Sequence, residues 1–352
     1  MLTDYSLLKR HQIAGSRPCA IATTHLFLKV VVESKLKKVD DLIERIRALA
    51  RRLIHAQPRE LVVANIARRV LGLIREVIEP AMKVDSGAPT PMAMTPMISL
   101  LPAAEPRFPI HRIGESTDDN AGTSVGPLSM REIKEDVLNG LRELLDEIDQ
   151  ADEQIAGYAL EHIAPQEVIM TYTSSLTAQK FLLGAAKRRK FTVIHVEGYP
   201  NLHEDTYETI VRGRNKTDEE SLDTDDRLKS LTAAGVNVIV VPDSAVFALM
   251  PRVSKVILPA HAVVSNGGFT ALAGSRVIAQ AAKAHRVPVF VLGAVFKLSP
   301  MTPFDVESLT EMGDAGKVTD YRDGGVVEYI EAVNPTLDYV PPELTSLFIS
   351  NM

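Results

Sequence analysis

Residues 265–275 read SNGGFTALAGS, and they lie between an apolar run, SKVILPAHAVV (254–264), and an alanine-rich stretch, RVIAQAAKAHR (276–286). The apolar run predicts a buried strand, and the alanine-rich stretch predicts a helix over 271–285. A glycine-containing turn from a strand into a helix is where α/β proteins hold phosphates and cofactors. The stretch therefore predicts an α/β unit, and it raises the question of whether this turn carries side chains that bind a ligand.

The same alternation of short strands and helices extends over the second half of the chain. Helices are predicted at 178–189, 222–234 and 244–250, in addition to the one at 271–285. This alternation predicts a Rossmann-like, mostly parallel sheet covered by helices on both faces. The predicted strands are EVIMTY (167–172), FTVIHVEG (191–198), VNVIVV (236–241), KVILPA (255–260) and VPVFVLG (287–293).

The first 84 residues have a different pattern, in which apolar residues recur every three or four positions over 42–54 and 62–77. This spacing predicts amphipathic helices, and Pro18 and Pro58 fit helix boundaries. We therefore expect an α/β protein that begins with an all-helical domain. The predicted division is a helical domain at 1–84, a Pro-rich flexible linker at 85–127, a connecting helix at 128–164, and a Rossmann-like domain at 165–352 with a charged insertion at about 201–226.

Composition excludes several classes of protein. With 352 residues, 45% hydrophobic and 24% charged, the chain is typical of a globular protein with room for two cores. The single cysteine, Cys19, excludes a disulfide framework and a multi-cysteine zinc site. There is no apolar run of about 20 residues and no apolar core of a secretory signal at the N-terminus, so we expect a cytosolic protein without membrane contact. The absence of Trp and a net charge of −6 argue against a nucleic-acid binder.

Charge is unevenly distributed along the chain. Residues 1–84 contain 16 Lys and Arg against 8 Asp and Glu, whereas the remainder contains 23 against 37. Two interpretations remain open for the basic half: a solvated helical face, or a surface for an acidic partner.

The stretch SNGGFTALAGSRVIAQAAKAHRVPVFV (265–291), followed by FKLSP (296–300), resembles the regulatory-subunit family of eukaryotic translation initiation factor 2B, and the beta-type members are the nearer match. The resemblance covers nearly the whole chain except the Pro-rich linker and the charged insertion. The other segments that carry it are GSRPCAIATT (15–24), AQPRELVVANIARRVLGLIRE (56–76), ALEHI (159–163), EVIMTYTSS (167–175), PDSAVFALMPRVSKVIL (242–258) and DYVPPEL (338–344).

The fold superfamily also includes sugar-phosphate isomerases, and the resemblance implies that this chain lacks their chemistry. Those enzymes have a catalytic cysteine, a phosphate-binding arginine and a general-acid aspartate where this chain has Thr173, Tyr199 and His261. In the turn, Gly268 and Leu272 stand in place of an aspartate and a lysine. Loss of a general acid or base alone typically costs about 10²- to 10⁴-fold in rate. The resemblance therefore implies a non-enzymatic protein with no catalytic residue, cofactor or metal site.

An alternative remains open. A chain whose cleft lacks catalytic groups would still be able to bind a sugar phosphate or nucleotide there and act as a sensor. The other possibility is an isomerase of the methylthioribose-1-phosphate isomerase lineage. The residues expected to line such a cleft are Thr173, Tyr199, His261, Asn266 and Lys297.

The resemblance implies a regulatory subunit of the guanine-nucleotide exchange factor that recharges initiation factor 2. Its expected partners are the alpha, gamma, delta and epsilon subunits of initiation factor 2B, in a hetero-decamer, together with initiation factor 2 and its phosphorylated alpha subunit. The FKLSP and YVPPEL segments would supply packing surfaces between subunits. The residues expected to contact initiation factor 2, chosen from charge and helical location, are Arg51, Arg52, Arg68 and Arg69.

Overall fold

The computed structural model describes residues 8–10, 12–13, 15–33, 39–85, 130–173, 175–198, 230–303, 305, 309–319 and 329–352. The sequence-predicted linker, apart from Asp85, and the sequence-predicted insertion lie outside these residues. So does the predicted helix at 222–234 before residue 230.

The N-terminal region is helical, as the periodicity predicts. Its helices are α1 (Ser16–Glu33), α2 (Val39–Ala56), α3 (Leu61–Asp85) and α4 (Met130–Gly157). The apolar positions every three or four residues are the buried ones: Leu42, Ile46 and Leu53 on α2, and Ile66 and Val70 on α3. A short break at Tyr158 separates α4 from α5 (Ala159–His162), so the predicted connecting helix is two helices.

The second half contains a sheet of six parallel strands. All five predicted strands are present, as β1 (Val168–Tyr172), β2 (Thr192–Glu197), β3 (Asn237–Pro242), β4 (Lys255–Pro259) and β7 (Val289–Leu292). A sixth strand that the sequence did not predict, β9 (Leu347–Ile349), pairs with β7. The order across the sheet is β3-β2-β1-β4-β7-β9. The helices between strands include α6 (Leu176–Ala186), α7 (Val246–Leu249) and α8 (Ser275–Ala284), and residues 230–233 are also helical.

The structure corrects the interpretation of residues 265–275. These residues do not form a single turn from strand into helix, because a small antiparallel sheet lies between β4 and α8. It consists of β5 (Ala262–Val263), β6 (Phe269–Leu272) and β8 (Leu337–Val340), in the order β5-β6-β8. The SNGG segment is therefore the turn of a β-hairpin, and α8 begins at Ser275 rather than Ala271.

Strand residues alternate between two cores, as the period of two requires. Ile169, Val193 and Ile257 belong to a cluster that continues through α6 and α1–α4, whereas Met170 and Val256 pack in a second cluster that includes the buried face of α8. The buried cluster on one face of the sheet is thus continuous with the core of the helical region. The helical region consequently packs directly on the sheet.

Candidate functional site

In an open parallel sheet, ligands bind outside the carboxyl ends of the strands, where the strand order reverses. We call this side of the sheet the carboxyl edge. The reversal lies between β1 and β4, which are neighbours in the sheet. Thr173, directly after β1, has a φ of +54°, an unusual value for a β-branched residue. Its backbone N–H donates to the Val196 carbonyl (3.0 Å), and its hydroxyl donates to the Tyr172 carbonyl (2.8 Å).

The side chain of Tyr172 fills the space beside this turn. Its hydroxyl donates a hydrogen bond to the carbonyl of Ala273. The same hydroxyl lies so close to Gly198 and Gly274 that a Cβ atom on either glycine would overlap it. Burial, and then the charges of two nearby carboxylates, raise the pKa of Tyr172 well above its usual value. A neutral phenol therefore occupies the crevice between the β2 loop and the start of α8.

The N-terminus of α8 binds a carboxylate of the chain itself. Asp338 Oδ2 accepts hydrogen bonds from the backbone N–H groups of Gly274 (2.6 Å) and Arg276 (3.3 Å). Gly274 has a φ of +103°, which accounts for a glycine at this position. The N–H groups at a helix start are those that bind phosphate in nucleotide-binding folds. At α8, two of them are used within the chain.

Asn266 also forms its hydrogen bonds inside the chain. Its Oδ1 accepts from the backbone N–H of Gly268 (2.9 Å), and its Nδ2 donates to the hydroxyl of Tyr339 (2.6 Å). The second contact joins the hairpin to β8. A Cβ atom at Gly268 would overlap the Tyr339 hydroxyl, so this glycine permits close packing. These contacts give Asn266 a structural role.

His261 lies after β4 and contacts the helical region. Its Nε2 is 3.1 Å from Oε2 of Glu60, the residue before α3. Burial lowers the pKa of His261, but the charge and hydrogen bond of Glu60 outweigh burial, so the net pKa is raised. When His261 is protonated, it and Glu60 form an ion pair between the helical region and the carboxyl edge.

Lys297 is buried in the turn after β7. Its Nζ donates to the carbonyl of Ala260 (2.8 Å) and lies 5.9 Å from the centre of the Phe296 ring. Burial lowers the pKa of Lys297, and the carboxylates of Asp152 and Glu60 partly offset this. The ammonium group of Lys297 thus has a hydrogen-bond acceptor and nearby carboxylates within the chain.

Four of the five sequence-predicted cleft residues are described, and all four lie on the carboxyl side of the sheet with their polar groups bonded to other groups of the chain: Thr173, His261, Asn266 and Lys297. Tyr199 lies outside the described residues. Sequence reasoning did not assign roles to Tyr172, Glu60 and Asp338. No local signal marks Glu60 or Asp338, because each acts on a residue far away in the sequence.

The four candidate arginines have different environments. Arg51 and Arg52 are exposed near the end of α2, and Arg68 is exposed on α3. Arg69 is half-buried, and its guanidinium binds both carboxylate oxygens of Glu147 on α4, at 2.9 Å and 2.5 Å. Three of the four thus face solvent, whereas Arg69 connects two helices of the chain.

The FKLSP and YVPPEL segments, which we expect to supply packing surfaces between subunits, are partly buried within the chain. Phe296 and Lys297 are buried, as are Tyr339 and Val340. The small antiparallel sheet and the turn after β7 use these side chains inside the chain. Leu298, with 39% of its surface exposed, is the large apolar side chain that FKLSP leaves accessible.

In the described part of the chain, no three His, Cys, Asp or Glu side chains lie close enough to hold a metal ion. His195 is buried in β2, and burial lowers its pKa to about 4. No described helix has both the length and the apolar character that a bilayer span requires.

Comparison with known proteins extends along almost the whole chain. The Initiation factor 2 subunit family matches residues 12–214 and 223–352. Translation initiation factor eIF2B subunit beta of Schizosaccharomyces pombe is 31% identical, over 98% of this chain and 89% of that protein. The Dictyostelium discoideum subunit of the same name is 30% identical, over 98% and 89%.

A solved structure agrees with these sequence matches. The fold is similar to that in the tetrameric eIF2B-beta2-delta2 complex from C. thermophilum, with a TM-score of 0.67 and 31% identity over 99% of this chain and 88% of that one. These relatives are translation-factor subunits, in agreement with the expectation of a non-enzymatic regulatory subunit. The chain belongs to the Initiation factor 2 subunit family, and its similarity is to the beta subunits of eIF2B.

Proposed function

We propose that this protein is a regulatory, non-catalytic subunit of the guanine-nucleotide exchange factor for translation initiation factor 2. The observation that carries the proposal is the match to eIF2B beta subunits over 98% of the chain. In this role the subunit acts in the cytosol. It helps the assembly respond to phosphorylation of the alpha subunit of initiation factor 2, and so lowers nucleotide exchange under stress.

The carboxyl edge supports a non-catalytic role. The polar atoms that a sugar phosphate would need are engaged within the chain: Lys297 with Ala260, His261 with Glu60, and the α8 N-terminus with Asp338. A ligand would have to break these contacts and displace the Tyr172 ring. Among the residues that the structure describes, no contact favours the alternative of a sugar-phosphate or nucleotide sensor, or of an isomerase.

The proposed partners are the alpha, gamma, delta and epsilon subunits of initiation factor 2B, in a hetero-decamer. The similar solved structure is a complex of beta and delta subunits, which supports delta as the direct neighbour. Exchange chemistry in this proposal belongs to the gamma and epsilon subunits, and the present chain serves as scaffold and sensor.

The proposed contact with initiation factor 2 lies on the exposed arginines of the helical region. Arg51 and Arg52 on α2 and Arg68 on α3 are exposed residues. Arginine binds carboxylates and phosphates through paired, charge-assisted hydrogen bonds. Arg69 contributes less to the proposed contact with initiation factor 2, because its guanidinium already binds the carboxylate of Glu147.

The experiment is affinity purification of the tagged chain from its own cells under native conditions, with mass spectrometry of the co-eluting proteins. The proposal predicts recovery of four further subunits together with initiation factor 2. A tagged, unrelated cytosolic protein is the control for background. Recovery of only a homo-oligomer carrying a sugar phosphate would contradict the proposal and favour the isomerase lineage.

A further inference from the structure

The helical region contacts the carboxyl edge of the sheet through polar groups from several elements. Glu60 pairs with His261 after β4 at 3.1 Å, and Asn65 Nδ2 donates to the Phe296 carbonyl after β7 at 3.3 Å. Next to Glu60, Leu61 at the start of α3 packs in a small apolar cluster whose other members are Ala262, Val264, Leu309 and Tyr339. We call the contacts of Glu60 and Asn65 with His261 and Phe296 the α3 joint.

Within the described residues, the Glu60 carboxylate depends on His261. Its Oε2 contacts His261, while its Oε1 is buried with no hydrogen-bond partner among those residues. A buried carboxylate without a compensating charge is costly, so a neutral partner leaves the pair much less favourable. The charge state of His261 therefore bears directly on whether Glu60 remains buried.

The charged groups facing His261 come from three elements. Glu60 before α3 and Glu311 favour the protonated ring, and Lys297 after β7 opposes it. Lys297 is itself bonded to the carbonyl of Ala260, the residue before His261. Among the described groups, two carboxylates thus act against one ammonium. The arrangement holds a proton on the imidazole more firmly when the joint is closed than when it is open to water.

We propose that the α3 joint is a proton-dependent latch, in which protonated His261 holds the helical region against the carboxyl edge and loss of that proton loosens the contact. The pKa of His261 is raised in the closed state, so the added stability is fully present below the ordinary value of 6.5. It is lost as the pH rises through the raised value. Local opening therefore increases as the pH rises from 6.5 toward that raised value. The latch is independent of the proposed role in translation.

The test is hydrogen–deuterium exchange of the full chain from pH 6.0 to 8.5, with each rate corrected for the intrinsic effect of pH on exchange. The reporting segments are 61–66 at the start of α3 and 294–298 after β7. The proposal predicts that opening of both rises with pH, by at most about tenfold per pH unit, because one proton is released. A segment in the middle of α4, at 141–148, should not change.

Two variants distinguish an effect of the His261 proton on the joint from a general destabilisation of the chain. His261→Gln retains a hydrogen-bond donor but no titrating charge, so its joint should open equally at all these pH values. Glu60→Gln should also abolish the rise of opening with pH, because it removes the carboxylate that favours the protonated ring. His25→Gln, at an exposed histidine on α1, is the matched control and should behave as wild type.

The outcomes that would overturn the latch are specific. One is wild-type opening that does not change with pH, and this requires no variant to fold. The other is a folded His261→Gln or Glu60→Gln chain that retains the wild-type pH dependence, which would assign that dependence to another group.

Discussion

The hydroxyl of Tyr172 at the end of β1 and the Cα of Gly274 before α8 are so close that no Cβ would fit between them. This contact closes the crevice where a parallel sheet would receive a ligand. With Asp338 bonded to the adjacent N–H groups, the crevice beside Tyr172 is filled by groups of the chain itself. The contribution of these contacts to the stability of the fold can be tested by single substitutions.

Gly274→Ala should destabilise the chain by about 2–4 kcal/mol, because it adds left-handed backbone strain to overlap with Tyr172. Gly235→Ala is the matched control. Gly235 also has a positive φ, +81°, but a Cβ there would meet no atom within 4 Å. Only the strain remains in that variant, so it should cost about 1–2 kcal/mol. Urea unfolding gives both values, and equal costs would show that Tyr172 does not fill the crevice tightly.

Asp338→Asn should lower the free energy of unfolding by about 1–2 kcal/mol, since it removes a charge from hydrogen bonds at the start of α8. Asp338→Ala should cost more than the asparagine variant, because the N–H groups of Gly274 and Arg276 would lose their acceptor. Thermal and urea unfolding provide the comparison. If both variants were as stable as the wild type, the carboxylate would not be what holds this helix start.

Reversing the charge of Arg51 and Arg52 together should weaken binding of the assembled complex to initiation factor 2. The expected loss is about 1–2 kcal/mol, or roughly tenfold, and it should shrink as salt increases. Arg131→Glu on α4 is the control, since that side chain is 88% exposed and lies outside the proposed surface. Equal affinity of wild type and the double variant at low salt would remove these arginines from the contact.

His195 should make the chain sensitive to acid. Its pKa is lowered to about 4 by burial, so below the ordinary value of 6.5 the unfolded chain binds a proton that the folded chain does not. Stability should fall between pH 6.5 and 4 by up to about 3 kcal/mol from this group. Urea unfolding across that range should show a smaller loss for His195→Val than for the exposed-site control His25→Gln. The same loss in both would exclude His195 as the cause.

Local periodicity predicted the elements whose burial follows from their own sequence. Alternating β-branched residues located β1, β2, β3, β4 and β7, and three-to-four spacing located α2 and α3. The hairpin at 262–272 was missed because its identity depends on a distant strand. Leu272, read as helical, pairs with Leu337 of β8. Strand β9 is only three residues long, too short to show a period.

The sequence predicted where the candidate site residues lie but not which groups they contact. His261, Asn266 and Lys297 do lie on the carboxyl side of the sheet, because loops after parallel strands meet there. What they do was not predictable, since their partners come from remote positions, such as Glu60 for His261 and Tyr339 for Asn266. Pairing between distant charges leaves no pattern in a single sequence.

The central claim, a regulatory subunit without exchange activity of its own, is tested most directly by guanine-nucleotide release from purified initiation factor 2. The account predicts no acceleration by this chain alone. It also predicts that release by the assembled complex is inhibited by phosphorylated initiation factor 2, and that the inhibition weakens when this chain is omitted. Acceleration by the isolated chain, or inhibition that is unchanged in its absence, would contradict the account.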